Sequence, residues 1–150
     1  MKRLVALAVV SIVSVLVLAS FASANHAKKP TKQAFIAVLN IGQEVPHPTG
    51  TKLGASGKFT ATVSGTTLTW KLTFGRLSGS ATAAHIHSGV KGKAGPVLIP
   101  LCGPCTSPAS GTATVTAAQV TDLAAGKDYV NVHTAKNPNG EIRGQIKKLL

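Results

Sequence analysis

Residues 57–74 have the sequence GKFTATVSGTTLTWKLTF, which carries the clearest secondary-structure pattern of the 150-residue chain. Apolar and polar side chains alternate on both sides of Ser64-Gly65, and such alternation is typical of strands with one buried face. Gly65 supplies the positive φ that a tight turn requires. The stretch therefore predicts a β-hairpin whose threonines lie on the face opposite to Phe59 and Trp70.

Similar short runs lie on both sides of this hairpin, separated by Gly, Pro and Asn clusters that are typical of turns. The first of them contains Phe35, Ala37 and Leu39. Further strands are predicted at residues 81–88, 96–101, 111–116, 128–134 and 141–148. Residues 117–125 follow Thr116 as a candidate N-cap and end at Gly126, which predicts a short helix. We expect an all-β fold, an antiparallel Greek-key-like sandwich or barrel of about eight strands with one short helix.

The N-terminus has the composition of a secretory signal peptide. Lys2 and Arg3 precede the uncharged apolar run 4–18, and Ala22-Ser23-Ala24 has the small residues of a cleavage site. The run is shorter than the ~20 residues that a membrane-spanning helix needs, which disfavours an uncleaved anchor. We expect a signal peptide at 1–24, an exposed tail at 25–32 and one β domain at 33–150, with no transmembrane segment after cleavage. Free secretion, a periplasmic location and attachment to the cell surface remain open.

The chain is strongly basic, with sixteen Lys and Arg against four acids and a formal charge of +12. Removal of residues 1–24 takes away Lys2, Arg3 and no acid, and leaves +10. Such a field attracts anionic polymers. The basic residues are scattered, and the single Trp and Tyr are not interleaved with them, which disfavours specific nucleic-acid binding. An anionic cell-surface polymer or an extracellular protein is the expected kind of partner.

Three blocks of the sequence stand out: FIAVLNIGQEVP at 35–46, AAHIHSG at 83–89 with Gly95-Pro96-Val97, and YVNVHT with NPNGEIRGQI within 129–146. Together, in this order and spacing, they resemble the chordin-type (CHRD) domain family. The resemblance implies an extracellular all-β module with no settled catalytic activity. His47 stands where the family commonly has a second proline. A growth-factor-binding role by analogy with chordin itself rests on fold likeness alone.

The best candidate for chemistry is His85-Ile86-His87, because residues two apart in a strand point to the same face. His133, in another predicted strand, is the natural third ligand. Imidazole suits copper and zinc, so either metal is a candidate cofactor, although neither is certain. The pattern also looks locally like the copper site of copper/zinc superoxide dismutase. A dismutase would need a zinc site with an aspartate, for which only Asp122 and Asp128 are present.

The alternative is a structural network of neutral histidines. Their rings would then be fixed by backbone carbonyls or by Glu44 and Glu141, acids of the resemblance blocks, with Arg143 as a further polar candidate. Both interpretations stay open at this point.

Other motifs offer little catalytic chemistry. Cys102-Gly103-Pro104-Cys105 has the letters of a redox motif but no following helix, so it predicts a local disulfide in a loop. The Gly- and Lys-rich residues 88–95 lack the ending of a phosphate loop and predict an exposed turn. No Gly-x-Ser-x-Gly motif occurs, and acids are scarce. These observations disfavour an enzyme without excluding one.

Overall fold

The structure is a computed structural model and describes residues 31–150. The predicted signal peptide at 1–24 and residues 25–30 of the predicted tail lie outside the described residues and stay predictions. Thr31 and Lys32 are exposed and precede the first strand. Within 31–150, no helix has both the length and the apolar character needed to cross a membrane.

Strands dominate the described part of the chain, as the alternating pattern predicts. A short 3-10 helix at Ile41–Gln43 follows the first strand. The other elements, in chain order, are β1 (Gln33–Asn40), β2 (Ser56–Ser64), β3 (Thr67–Gly75), β4 (Ala81–Ser88), β5 (Val97–Cys102), β6 (Ala109–Thr114), α1 (Ala117–Ala124), β7 (Asp128–Thr134), β8 (Ile142–Gln145) and β9 (Lys147–Lys148).

The central hairpin is confirmed. β2 and β3 pair in antiparallel register with Val63 opposite Leu68, and Gly65 in the turn has φ 59°. Phe59, Leu68 and Trp70 are buried, because alternate side chains of each strand point into the core.

All pairings in the sheet are antiparallel, in the order β5-β4-β7-β8-β1-β2-β3-β6, with β9 added beside β1. The non-consecutive neighbours β4–β7 and β3–β6 give the expected Greek-key-like arrangement. The two edge strands, β5 and β6, contact each other, so the sheet is nearly closed into a barrel. Closure gathers the inward-facing side chains of every strand into one core.

Several predicted boundaries shift by one or two residues, and two of the differences have a clear structural reason. β6 ends at Thr114 rather than at residue 116, because Thr116 leaves the sheet to form a capping box with Gln119 at the start of α1. The predicted strand 141–148 is divided at Ile146. β8 pairs with both β7 and β1, whereas β9 pairs with β1.

β7 is buried on both faces, which is what positions the candidate site. Val130 and Val132 point into the barrel core, and Tyr129, Asn131 and His133 point outward by alternation. These outward side chains are nevertheless buried, because the loops after β4 and β7 fold over them. An outward but sheltered polar layer of this kind is where convergent side chains can form a site.

Candidate metal centre

Three histidines converge on the outer face of the barrel. His85 and His87 project from β4 on the side opposite to Ile86, which is fully buried in the core. β4 and β7 are antiparallel neighbours, and His133 lies opposite Ala83 in that pairing. One ring nitrogen from each histidine lies within 4.8 Å of the other two. The juxtaposition expected from the sequence is therefore present in the structure.

Hydrogen bonds fix which nitrogen of two of these rings carries the proton. His87 Nδ1 is 2.9 Å from the Gly95 carbonyl oxygen, and His133 Nδ1 is 2.9 Å from that of Pro138. A carbonyl oxygen only accepts, so both Nδ1 atoms donate, and each neutral ring presents a lone pair on Nε2. A histidine held by a backbone carbonyl in this way is the usual arrangement behind a metal-ligating nitrogen.

The third ring completes the set. His85 Nδ1 lies 3.0 Å from His133 Nε2, so His85 donates to the lone pair of His133 when both rings are neutral. His87 Nε2 is buried and has no hydrogen-bond partner among the described residues. The Asn131 side chain interacts with His87 and raises its pKa, but by bond geometry neither His87 Nε2 nor Asn131 Oδ1 has a hydrogen-bond partner. A buried lone pair without a donor is costly unless something else binds it.

Burial keeps all three rings neutral. It lowers the pKa of His133 to about 4, only partly offset by the hydrogen bond to Pro138. It also lowers the pKa of His85, with His87 adding to the effect, and that of His87, partly offset by the hydrogen bond to Gly95. Neutral imidazole is the form that binds metal, so the site needs no deprotonation near neutral pH.

The residues fit a single copper or zinc ion. Metal–nitrogen bonds of about 2.0–2.1 Å at tetrahedral angles place ligand nitrogens ~3.3 Å apart. His85 Nδ1 and His133 Nε2 are already 3.0 Å apart, and His85 would ligate through Nδ1 once its proton moves to Nε2. Small side-chain rotations would bring His87 into range.

A family model for the CHRD domain matches residues 35–146. The chain belongs to the CHRD domain family. The resemblance noted in the sequence is thereby confirmed, and membership supports a non-catalytic domain of extracellular type. Neither curated proteins nor solved structures gave a significant match.

Within this CHRD domain, the histidine face continues into an aromatic and cationic stack. Tyr129 is stacked on His87 with ring centroids 5.0 Å apart, and the guanidinium of Arg143 lies 3.4 Å from the Tyr129 ring centroid. Arg143 is 1% exposed and donates to the Val90 carbonyl oxygen and to Gln145. The stack braces one side of His87 and places a fixed positive charge near the site.

Glu44 and Glu141, the acids considered as partners of the histidines, lie elsewhere. No carboxylate accepts a hydrogen bond from His85, His87 or His133 in residues 31–150, where these rings pair with each other and with backbone carbonyls. Glu44 accepts from the Val45 amide, and burial raises its pKa to about 7. Its Oε2 is buried without a partner, as are Asn131 Oδ1 and Arg143 Nη1.

Glu141 instead organises the turn after β7. Its carboxylate accepts from the Ser78 amide and hydroxyl, from the Thr134 hydroxyl and from the Asn137 amide group. Burial raises the pKa of Glu141, but these hydrogen bonds outweigh burial and leave the pKa lowered. The same turn carries Pro138, whose carbonyl oxygen accepts the hydrogen bond from His133.

The Cys pair forms the disulfide that the sequence predicts, Cys102–Cys105, where the chain leaves β5. A loop and β6 follow it, not a helix, so the thiol-activating context of a redox motif is missing there. The bond stiffens the connection between the two edge strands of the barrel.

Tyr129, Asn131 and Ser78 were missed at the sequence level. For two of them a signal exists, because the segment YVNVH alternates and puts residues 129, 131 and 133 on one face. Ser78 has no local signal, since its contact with Glu141 spans 63 positions of sequence.

Proposed function

We propose that this CHRD domain is an extracellular, non-catalytic binding module that holds one copper or zinc ion through His85, His87 and His133. The observation that carries the proposal is the convergence of three ring nitrogens within 4.8 Å. The buried, partnerless Nε2 of His87 adds to it. In a purely structural network, that atom would be left unsatisfied.

The ligand chemistry favours copper or zinc over harder metals. The site offers three imidazoles and no carboxylate, and magnesium and calcium prefer oxygen ligands. The carbonyl partners of His87 and His133 keep their Nε2 lone pairs available for a metal, whichever of the two it is.

Other features support a binding role over catalysis. A dismutase-like zinc site would need an aspartate near the histidines. Asp122 instead pairs with Lys127 at 3.0 Å, and Asp128 starts β7 on the face opposite to Tyr129. Secretion is proposed from the signal-like N-terminus. Mass spectrometry of the secreted protein should give the mass of residues 25–150. A different mass would contradict cleavage after Ala24.

Metal uptake is the direct test. Protein purified without a His-tag is titrated with Zn(II) and with Cu(II) by calorimetry, and metal content is measured after dialysis. We expect one ion per chain, lost in His87→Ala. His47→Ala is the matched control, since His47 bonds to the neighbouring Pro48 carbonyl instead and is not one of the three. If the wild type takes up no metal, or if His47→Ala loses as much metal as His87→Ala, the proposal is refuted.

A second function, association with an anionic surface polymer, is favoured by a separate observation. In residues 31–150, eleven of the twelve Lys and Arg side chains are exposed. Glu44, Asp128 and Glu141 are buried, and the half-exposed Asp122 is paired with Lys127. The charged groups that face solvent are therefore almost all cationic, which favours association with an anionic polymer.

A further inference from the structure

The three histidines open onto a cleft, and this cleft limits what can complete the metal site. It has a volume of about 620 Å³, within the range of small-molecule sites. Its walls are largely apolar and include Val45, Pro46, Ala83, Val97 and Pro138. A ligand bound at the histidines would therefore contact apolar side chains on the walls of the cleft.

Three protein nitrogens leave one position of a tetrahedral ion open. Besides the histidines, the cleft is lined by three side chains with oxygen atoms, those of Thr82, Tyr129 and Asn139. The Tyr129 hydroxyl already accepts from the Gly95 amide. No acidic side chain lines the cleft, which lies wholly within the described residues. The described chain therefore supplies no anionic fourth ligand here, and the open position is available to a ligand from outside the chain.

Charge selects the kind of ligand. Neutral imidazoles leave the +2 charge of the ion uncompensated in a sheltered site, where an anion is the favoured partner. Arg143, stacked on Tyr129, adds positive charge behind His87. Lys91 and Lys93 are exposed on the loop that supplies Ala94 and Gly95 to the cleft wall.

We propose that the metal-loaded centre binds a carboxylate that carries a compact apolar body, with the carboxylate on the ion and the body against the Val97 side of the cleft. The inference rests on the proposed metal function. The same chemistry is offered by a small branched organic acid and by the C-terminal carboxylate of a peptide ending in an apolar residue.

The test uses Zn(II)-loaded and metal-free protein, titrated by calorimetry with isovalerate, acetate and isovaleramide. We expect isovalerate to bind about tenfold more tightly than acetate, because three further carbons are partly buried. We expect the uncharged amide not to bind, and metal-free protein to bind none of the three. A valine-terminated tripeptide acid, compared with its amide, distinguishes the two sources. Tighter binding than isovalerate assigns the ligand to chain ends, and weaker binding assigns it to small acids.

The variant Val97→Ser tests whether the apolar wall of the cleft binds the apolar body of the ligand. Val97 is 52% exposed, so the change should leave folding and zinc uptake intact while removing most of the preference for isovalerate over acetate. Val90→Ser is the matched control, since Val90 is 51% exposed and does not line the cleft. Failure to take up zinc overturns the proposed function, and this inference with it. Normal zinc uptake with equal binding of isovalerate and its amide overturns this inference alone.

Discussion

Asp128 and Glu141 are both buried carboxyl groups, but their surroundings shift their pKa values in opposite directions. Both oxygens of Asp128 are buried without a hydrogen-bond partner, and burial, with Asp122 nearby, raises its pKa to about 6. Glu141 accepts four hydrogen bonds through its side chain, which lower its pKa. Both side chains are fully buried, so the hydrogen-bond donors around each carboxylate decide whether its pKa is raised or lowered.

The raised pKa of Asp128 predicts a pH-dependent gain for Asp128→Asn. The folded state holds the proton up to about pH 6 and the unfolded state up to about 3.8, so this group's contribution to stability falls as the pH rises between them. The variant should be about 1 to 3 kcal/mol more stable than wild type at pH 7, with little difference near pH 4. Urea unfolding at both pH values measures this.

Asp122→Asn serves as the control. Asp122 is half-exposed and salt-bridged to Lys127, so its loss should change stability by less than ~1 kcal/mol. A gain from Asp128→Asn that is equal at pH 4 and pH 7 would refute the assignment of a raised pKa.

At the scale of elements, the turn between β7 and β8 connects a carboxylate to the candidate metal site. Asn137 and Thr134 hydrogen-bond across the turn, and both also bind Glu141. Gly140 has φ 129° and lies against Glu44 and Asn131, where a Cβ would collide with both side chains. The turn is thus held from both ends, which fixes the Pro138 carbonyl that orients His133.

Glu141→Gln should loosen this turn. We expect a loss of about 2 to 3 kcal/mol in unfolding free energy at pH 6 and roughly tenfold weaker zinc binding, because the charged acceptor is lost and His133 is less well oriented. Since the pKa of Glu141 is lowered, the loss in stability should shrink as the pH falls below the ordinary glutamate value of 4.5.

Glu44→Gln is the matched control for this change. Burial raises the pKa of Glu44 to about 7, so at pH 6 the wild-type group is mostly protonated and the amide replaces a neutral side chain. We expect less than ~1 kcal/mol of change. Equal effects of the two variants on stability and zinc affinity would argue against a specific role for the turn.

At the scale of the whole molecule, burial of acids leaves a cationic exterior. Lys58 and Lys71 project outward from β2 and β3 among exposed threonines, and further lysines are distributed over the loops and termini. Because the charge is spread around the barrel, contact with an anionic polymer should depend on total charge more than on one residue.

Chromatography on a sulfated polysaccharide column measures this association. We expect wild type to elute well above ~0.15 M salt, the combined variant Lys58→Glu, Lys71→Glu to elute earlier, and Asp122→Asn to elute slightly later. If the three proteins elute at the same salt concentration, or if the wild type is not retained on the column, the proposal of an anionic partner is contradicted.

The limits of sequence-based prediction are visible in particular residues. The β2–β3 hairpin, the helix after Thr116 and the disulfide were predictable because alternation, caps and turn residues act over a few positions. The shared face of His85 and His87 followed from the same local rule. The division of the last strand at Ile146 was not predictable, because it depends on which neighbours β8 and β9 find in the sheet.

The sequence by itself determined the β2–β3 hairpin, the alternating inner faces of the strands and the set of histidines available for a metal. Tertiary structure alone decided that His133 lies 3.0 Å from His85 across 48 positions of sequence. It also decided that carbonyls rather than carboxylates accept from His87 and His133, and that Arg143 is buried on Tyr129. The reason is physical: local patterns fix the backbone of each strand, whereas the register between distant strands is set by packing of the shared core.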